Sequence, residues 1–305
     1  MKRIAEIFSH FRNPDKETVL TPWRVVNLHL SNMVGGYCFL NEQFDLQEVL
    51  EEPRLVDQGQ VTEDVFLNPE ARILEMNSKS GLYPLYMTYS LYAMKLPGPE
   101  DKLPLEQTQA LWQETVEQQI FVLCKTRMAE SITRRTLVGY QDWTVNTTYI
   151  PHLLERMEKD PQRLAKKLQR TDTWGKEGQP MKFDAIVGNP PYQEMDGGNN
   201  ASAVPLYQLF MEQAILVEPH YISMIMPARW YSGGRGLDKF RSEMLNDERL
   251  CKMMDFSDSN DCFPGVDIAG GVCYFLWDKS AHGECKVISV HNGKQSISER
   301  KLNEY

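Results

Sequence analysis

The sequence lacks the features of secreted, membrane-spanning and metal-binding proteins. It contains no signal peptide and no long apolar run, so neither secretion nor a membrane span is supported. Its six cysteines are scattered along the chain, with no Cys-x-x-Cys motif and no pair of histidines at metal-ligand spacing. We therefore expect a cytoplasmic protein that has reduced thiols and no bound metal.

Positive charge is also scarce, because 33 lysine and arginine residues stand against 42 aspartate and glutamate residues. The net charge of -9 is unfavourable for a nucleic-acid-binding protein, since neutralised phosphates normally supply much of the affinity. Such a protein needs its basic residues on one face, or a further segment that makes most of the contacts. The 305 residues, 42% of them hydrophobic, are enough for one large α/β domain or two small ones.

The most informative stretch of the sequence is Phe183–Tyr192. Its apolar run 185–187 is typical of a strand that is buried on both faces of a parallel sheet. The sequence Asn-Pro-Pro-Tyr follows Gly188, and its prolines hold the backbone extended and leave carbonyl groups free to accept hydrogen bonds. An amide oxygen, a free carbonyl and a tyrosine ring at a strand end suit a flat heterocycle that carries an amino group. The alternative is a strand followed by a proline-rich turn.

A second stretch has the pattern of a nucleotide-binding strand, loop and helix. Arg72–Met76 is predicted to be the first core strand, and a helical pattern runs from Leu82 to Ala93. Gly81 in the loop between them lets a ligand approach the backbone, and the helix N-terminus offers free N–H groups. Glu75 at the strand end is suited to a cationic or hydroxyl-bearing ligand. A plain strand–helix turn is equally compatible with this pattern.

The other elements alternate between apolar strands and amphipathic helices, as in a doubly wound sheet. Residues 151–180 carry many charges, most often the mark of a solvated helix face, although such a run could also flank a nucleic acid. After residue 277 the chain is polar and unpatterned. The predicted strands lie within 118–125, 142–150, 221–226 and 272–277, and the predicted helices within 128–137, 151–174, 205–216 and 237–245.

Residues 1–60 are predicted to be helical, with Thr21 as an N-cap and Pro22 as the first helical residue. A group of basic residues follows the predicted strand 221–226, on the same side as the Asn-Pro-Pro-Tyr motif. This group forms either a solvated loop or, as we prefer, a surface that faces phosphates. Its members are Arg229, Arg235, Lys239 and Arg241.

In this order, the motifs resemble those of gamma-class adenine-N6 DNA methyltransferases of type II restriction–modification systems. The resemblance rests on Thr21-Pro22, on residues 73–81, on Asn189–Tyr192 and on Phe263-Pro264, and it covers nearly the whole chain. It implies the α/β, Rossmann-like class I S-adenosylmethionine-dependent methyltransferase fold, with a mostly parallel seven-stranded sheet and an antiparallel late strand. It also implies an N-terminal helical segment over 1–60 and a catalytic core over 61–305.

The resemblance further implies a site-specific reaction in which an adenine is flipped out of double-stranded DNA and receives the methyl group of S-adenosylmethionine. The Asn189 side-chain oxygen and the Pro190 carbonyl would accept the two amino hydrogens, and Tyr192 and Phe263 would stack on the base. No metal takes part. The implied cofactor residues are Thr21, Pro22, Glu75, Asn77 and Gly81, and the implied DNA-backbone residues are Arg229, Arg235 and Lys239.

Two positions depart from the pattern of the class. Lys79 stands where the first core motif usually has a glycine, and Cys124 stands where an acidic residue usually binds the cofactor ribose. The class also carries a target-recognition domain after the late motif, which we expect to be missing here. The expected partners therefore include a separate or fused recognition domain, nuclease or helicase.

Three other functions remain open from the sequence. The same tetrapeptide occurs in enzymes that methylate RNA bases or a protein glutamine. The chain could instead be an inactive cofactor-binding module of a larger restriction assembly, for which Lys79 and Cys124 are the main support. A dinucleotide-dependent oxidoreductase is disfavoured by the single-glycine loop and by the Asn-Pro-Pro-Tyr motif.

Overall fold

The computed structural model describes residues 20–42, 49–98, 100–193 and 204–304. None of the helices in these segments is long and apolar enough to cross a membrane. The helices are α1 (Trp23–Met33), α2 (Leu82–Lys95), α3 (Leu105–Gln119), α4 (Arg127–Val138), α5 (Leu153–Lys159), α6 (Pro161–Leu168), α7 (Tyr207–Leu216) and α8 (Asp238–Asn246). Shorter helical turns lie at Gln60–Thr62, Glu63–Leu67, Glu100–Lys102, Thr171–Trp174, Ala228–Ser232 and Ser259–Asp261.

The strands of the described segments form one large sheet and one two-stranded sheet. The small sheet pairs β1 (Gly36–Leu40) with β2 (Val49–Val56). The strands of the large sheet are β3 (Ile73–Ser78), β4 (Ile120–Cys124), β5 (Asn146–Tyr149), β6 (Ala185–Gly188), β7 (Tyr221–Pro227), β8 (Leu250–Phe256), β9 (Val272–Asp278), β10 (Cys285–His291) and β11 (Lys294–Arg300).

The large sheet confirms the predicted fold class. Strands β5, β4, β3, β6 and β7 are neighbours in that order and run parallel. Parallel strands need long crossover connections, and each connection between these strands contains at least one helix. The late strand β9 is antiparallel to both of its neighbours, β7 and β8. These seven strands are the predicted sheet, with its antiparallel late strand.

The predicted number of seven strands is wrong, because β10 and β11 extend the sheet to nine. Strand β10 pairs in parallel with β8, and β11 pairs with β10 in an antiparallel hairpin. Side chains of β10 are partly buried, whereas every side chain of β11 is exposed. Because β11 is exposed along its whole length, it has no apolar alternation, and for this reason its sequence gave no strand signal.

Two hydrophobic clusters cover the two faces of the sheet. One cluster contains side chains of α1, α2 and α4, and the other contains side chains of α5 to α8. Within β3, Ile73 belongs to the first cluster and Leu74 to the second, as expected for a strand buried on both faces. Helix α1 therefore packs into the same core as the sheet.

The prediction that residues 1–60 are helical is wrong for the segments that form β1 and β2, and residues 1–19 lie outside the described part of the chain. Helix α1 ends because Gly35 and Gly36 have φ angles of 84° and 93°, which a helix cannot continue. Its start also differs from the prediction, since Pro22 occupies the N-cap position and no side chain caps the helix. The Thr21 side chain therefore does not cap α1.

Candidate active site

The candidate site is built where β3 and β6 end side by side at the carboxyl edge of the sheet. Glu75 of β3 is paired with Val187 of β6. One residue later, Gly188 approaches β3 so closely that a Cβ atom on it would lie 2.6 Å from the backbone oxygen of Met76. Only glycine allows this approach, and it brings Asn189 next to the end of β3.

The side chain of Asn189 is held in one orientation by its amide group. Its Nδ2 atom donates a hydrogen bond of 2.8 Å to Oγ1 of Thr21. Its backbone oxygen accepts a bond of 3.0 Å from Nδ2 of Asn77. The residue is only 7% exposed, and its Oδ1 atom is buried without a hydrogen-bond partner among the described residues. A buried amide oxygen of this kind is available to accept hydrogen bonds from a ligand.

The residues after Asn189 add a second acceptor and an aromatic ring. Pro190 is buried, and no N–H or O–H group of the described residues donates to its carbonyl. Tyr192 is partly exposed, but its hydroxyl is buried and makes no hydrogen bond of normal geometry to a described residue. This burial raises the pKa of Tyr192 well above its usual value, although the nearby side chain of Asn189 opposes the shift. Phe263 is 1% exposed, so in this conformation no face of its ring is open to a base.

The contact between Thr21 and Asn189 yields a prediction that separates two roles of Thr21. In Thr21→Val the Asn189 amide loses its acceptor, and an unsatisfied buried donor costs about 1–3 kcal/mol. If the oriented amide acts on the substrate, we expect kcat for methyl transfer to fall about tenfold while cofactor affinity changes little, since about 1.4 kcal/mol is tenfold. Thr21→Ser keeps the hydroxyl and should stay near wild type.

The measurement is steady-state methyl transfer together with calorimetric titration of S-adenosylmethionine. If the Thr21→Val enzyme has a normal kcat but binds the cofactor more weakly, the prediction is wrong, and the Thr21 side chain binds the cofactor as the resemblance implied.

The loop between β3 and α2 has two left-handed residues, and Lys79, which stands where the class usually has a glycine, is not one of them. The left-handed positions are Asn77, with φ of 76°, and Gly81, with φ of 78°. Asparagine tolerates this conformation better than most residues, and Lys79 does not need to adopt it. A Cβ atom on Gly81 would lie 3.0 Å from Cα of Thr133, so the glycine also allows α2 and α4 to pack closely.

Glu75 is a buried carboxyl group at the centre of this region. It is 5% exposed, and its Oε2 atom has no partner among the described residues. Burial raises the pKa of Glu75 to about 8, although Ser78 and Lys79 oppose the shift. Burial likewise lowers the pKa of Lys79 to about 8, assisted by the charge of Lys125 and opposed by Glu75.

The raised pKa of Glu75 predicts a dependence of stability on pH. In the unfolded chain Glu75 ionises near pH 4.5, whereas in the folded protein its pKa is about 8. Between these values the folded protein holds the proton and the unfolded chain does not, so this carboxyl lowers the free energy of unfolding as pH rises. The expected slope is at most about 1.4 kcal/mol per pH unit.

We expect the stability difference between Glu75→Gln and wild type to grow in favour of the variant from about pH 5 to about pH 8 and then to level off. Urea-induced unfolding across this range measures it. The exposed Glu70→Gln is the matched control and should run parallel to wild type. A Glu75→Gln curve that also runs parallel to wild type would contradict the shifted pKa.

A buried chain of hydrogen bonds lies beside the site and was not predicted. His29 Nδ1 lies 2.8 Å from the hydroxyl of Tyr83, and its Nε2 lies 2.9 Å from Oγ of Ser223. Because the Ser223 hydroxyl donates to the carbonyl of Phe275, it accepts from Nε2–H, and Nδ1 accepts from Tyr83. Burial lowers the pKa of His29 to about 3, so the ring is neutral.

Arg24 is a second residue that the sequence gave no reason to select. Its Nη1 atom donates to the carbonyl oxygen of Cys262 at 3.0 Å. This bond attaches the start of α1 to the residue before Phe263. The two residues are 238 positions apart, so no local pattern could have shown the contact.

The predicted DNA-backbone residues do not form one tight cluster. Arg229 is partly buried in the turn after β7, whereas Arg235 and Lys239 are exposed, on the following loop and on α8. Lys239 forms an ion pair of 3.5 Å with Glu243. Their role at a DNA backbone stays a prediction.

The sheet, with its antiparallel late strand, and the loop after β3 define the class I S-adenosylmethionine-dependent methyltransferase fold. Solved structures of this fold match nearly the full chain at low identity. The ATP-dependent Type ISP restriction-modification enzyme LlaBIII bound to DNA has a TM-score of 0.55 and 12% identity, over 96% of this chain and 21% of that chain. A nuclease-deletion mutant of the Type ISP enzyme LlaGI has a TM-score of 0.54 and 13% identity, over 95% of this chain and 29% of that chain.

The family model of the Eco57I restriction-modification methylase matches residues 118–263. This segment of the chain is similar to that family. A curated relative, described as an uncharacterized adenine-specific methylase from Mycoplasma pneumoniae (strain ATCC 29342 / M129 / Subtype 1), is 37% identical over 124 residues. That match covers 39% of this chain and 29% of the relative, so the chain spans less than a third of the length of the relative.

Proposed function

We propose that this chain transfers the methyl group of S-adenosylmethionine to the N6 amino group of an adenine in double-stranded DNA. The observation that carries the proposal is the buried Oδ1 atom of Asn189, which has no described partner and is fixed by the bond from Nδ2 to Thr21. The carbonyl of Pro190 lies next to it along the chain. Two acceptors at the carboxyl edge of the sheet match the two hydrogens of an exocyclic amino group.

The chemical role of these acceptors follows from the weak nucleophilicity of an aromatic amine, whose lone pair is delocalised into the ring. Hydrogen bonds from the two amino hydrogens to Asn189 Oδ1 and to the Pro190 carbonyl favour a pyramidal nitrogen with a localised lone pair. Because Asn77 and Thr21 fix the Asn189 backbone and amide, the acceptors need little reorganisation during the reaction. Tyr192 would stack on the flipped base.

The cofactor would supply an electrophilic methyl group, and the residues around the β3–α2 loop fit it. The free N–H groups at the start of α2 and the ammonium of Lys79 suit its carboxylate. The unpartnered oxygen of Glu75 suits a hydroxyl group or a positive charge. Asn77, Gly81 and the backbone of the turn at Thr21-Pro22 would form the rest of the cofactor site, while the Thr21 hydroxyl holds the Asn189 amide.

The proposed partner is double-stranded DNA, with Arg229, Arg235 and Lys239 near its backbone. A separate or fused recognition domain, nuclease or helicase would complete the system, which would act in the cytoplasm. Support for adenine comes from the relative described as an adenine-specific methylase, and support for DNA comes from the LlaBIII restriction-modification enzyme, which shares the fold and whose structure was solved bound to DNA.

The test combines calorimetry with transfer of a tritiated methyl group. We expect S-adenosylmethionine and S-adenosylhomocysteine to bind and NAD not to bind, and we expect label to enter duplex DNA as N6-methyladenine. If the label enters only RNA or only a protein glutamine, then that molecule, and not DNA, is the substrate. Absence of cofactor binding would overturn the proposed activity, whereas cofactor binding without transfer of label to any substrate would favour an inactive cofactor-binding module.

A further inference from the structure

The buried chain of hydrogen bonds that contains His29 joins four elements around the candidate site. The Tyr83 hydroxyl donates to Nδ1 of His29, and Nε2–H of His29 donates to Oγ of Ser223. The Ser223 hydroxyl donates in turn to the carbonyl oxygen of Phe275 at 2.8 Å. The side chains of Tyr83, His29 and Ser223 are all buried. The hydrogen-bond chain therefore connects α2, α1, β7 and β9 within the core.

The strand register places Ser223 directly below the site. Glu75, Val187 and Ser223 form one row across β3, β6 and β7. Their side chains point to the face that α1 and α2 cover, because Val187 belongs to that core cluster and successive residues of a strand alternate between faces. Two strand spacings, about 10 Å, separate Glu75 from Ser223. Asn189 follows Val187 by two residues, so Ser223 lies on the same face as Glu75 and deeper in the sheet than Asn189.

Tyr83 brings the other end of the hydrogen-bond chain to the cofactor loop. It is the second residue of α2, the helix that follows this loop. Burial raises the pKa of Tyr83 well above its usual value. The charges of Tyr192, Cys262 and Glu75 add to the shift, so these three groups lie near its hydroxyl. Tyr83 is therefore close both to Glu75 of the cofactor region and to Tyr192 of the Asn-Pro-Pro-Tyr motif.

Helix α1 connects the same hydrogen-bond chain to Asn189. Thr21, which lies just before the helix, accepts the bond from Nδ2 of Asn189. Arg24 in the first turn donates to the carbonyl of Cys262. His29 lies less than two turns after the first residue of α1. Because so short a piece of helix moves as one body, a displacement of His29 also displaces Thr21.

Packing alone does not require polar groups at these positions. When two buried hydrogen-bond partners are both replaced by apolar groups of similar shape, stability can stay nearly unchanged, whereas the loss of one partner leaves the other unsatisfied. A fully bonded buried network makes the core rigid and specifies one arrangement of the elements that it joins. The hydrogen-bond chain therefore fixes where α1 and α2 lie on the sheet.

We propose that His29 is a positioning residue for methyl transfer, which sets the separation between the cofactor loop and Asn189 through its bonds to Tyr83 and Ser223. The inference rests on the proposed function. Transfer requires the reacting atoms to be aligned at about 3–3.5 Å, and a displacement of about 1 Å can lower the rate about 100-fold. Since α2 begins at the cofactor loop and α1 holds the Asn189 amide, the bond between His29 and Tyr83 controls this alignment.

The test compares a single with a double substitution. His29→Leu leaves the Tyr83 hydroxyl buried without its acceptor, so the midpoint of urea unfolding should fall. His29→Leu/Tyr83→Phe removes both partners, while Ser223 keeps its acceptor, so the midpoint should return close to wild type. In both variants the single-turnover rate per folded enzyme should fall about tenfold, because neither variant restores the alignment. The calorimetric affinity for S-adenosylmethionine should stay close to wild type.

The matched control is Thr88→Val, which removes another buried hydroxyl from α2. This hydroxyl donates to the carbonyl of Pro84 and so bonds only within the helix. The control variant should keep the wild-type rate.

A second readout does not depend on turnover. It is the NMR signal of the Asn189 side-chain amide in protein with ¹⁵N-labelled asparagine, assigned by its loss in Asn189→Ala. The signal should shift in both His29 variants, because a displaced α1 alters the bond to Thr21, and it should stay in place in Thr88→Val.

A double variant that transfers methyl groups at the wild-type rate would overturn the inference, as would a loss of S-adenosylmethionine affinity as large as the loss of rate. Failure of the proposed function gives a different result. If wild type transfers no label but the Asn189 signal shifts in both His29 variants, the enzyme is rejected and the positioning of Asn189 by His29 stands. If label is transferred and neither the rate nor the signal changes, the role of His29 alone is rejected.

Discussion

Asn189→Ala is expected to abolish most of the methyl transfer while leaving the affinity for S-adenosylmethionine nearly unchanged. The substitution removes the buried Oδ1 acceptor but keeps the backbone oxygen that Asn77 holds. Loss of one preorganised polar group at a reaction centre typically lowers kcat about 100- to 1,000-fold. Single-turnover transfer of a tritiated methyl group to DNA measures the rate, and calorimetry measures the cofactor affinity.

Two further variants separate this role from a loss of packing. Asn189→Asp retains an acceptor oxygen of the same shape and should keep more activity than the alanine variant. Asn246→Ala removes an exposed asparagine on α8, whose amide nitrogen donates to the carbonyl of Ser242, and should behave as wild type. An alanine variant at position 189 with wild-type turnover would remove Asn189 from the mechanism.

Gly188→Ala is expected to damage both stability and activity. Its Cβ atom would lie 2.6 Å from the Met76 carbonyl oxygen, a distance that real Cβ contacts do not adopt, so β6 and β3 must separate. Overpacking of this kind costs about 1–3 kcal/mol. Because Asn189 follows directly, the same shift displaces its amide from Thr21, and kcat should fall by more than the loss of folded protein explains.

Gly98→Ala provides the matched control, because a Cβ atom added there would meet no other atom within 4 Å and the backbone is not left-handed. We expect its urea-unfolding midpoint and its turnover to equal those of wild type. A Gly188→Ala protein of normal stability and normal turnover would show that the approach of β6 to β3 does not position the site.

The central strands could be predicted from the sequence because strands buried on both faces are continuous apolar runs. The predicted strand within 118–125 is β4, and the predicted strand 221–226 is β7 with one residue added. The helix predicted over 128–137 is α4, which is one residue longer at each end. The Asn-Pro-Pro-Tyr motif was recognisable because each of its residues restricts the backbone or supplies a polar group.

The contacts that orient the site could not be predicted, because they join residues that are far apart in sequence. Thr21 and Asn189 are 168 positions apart, and the pattern around Thr21 indicated a helix cap instead. The hairpin of β1 and β2 was missed because its glycines were not recognised as a helix end. The left-handed backbone of Asn77 was also missed, since asparagine adopts this conformation without the sequence signal that a glycine gives.

The exposed edge strand β11 bears on whether copies of this chain can join through their sheets. A second β11 that paired antiparallel across a two-fold axis at Ile297 would place Lys294 opposite Arg300 at both ends. Like charges directly opposite each other destabilise a strand pair. The charged side chains of β11 thus oppose edge-to-edge pairing between copies of the chain, to which an unpaired edge strand is otherwise prone. The same polar residues are the reason that β11 could not be predicted as a strand.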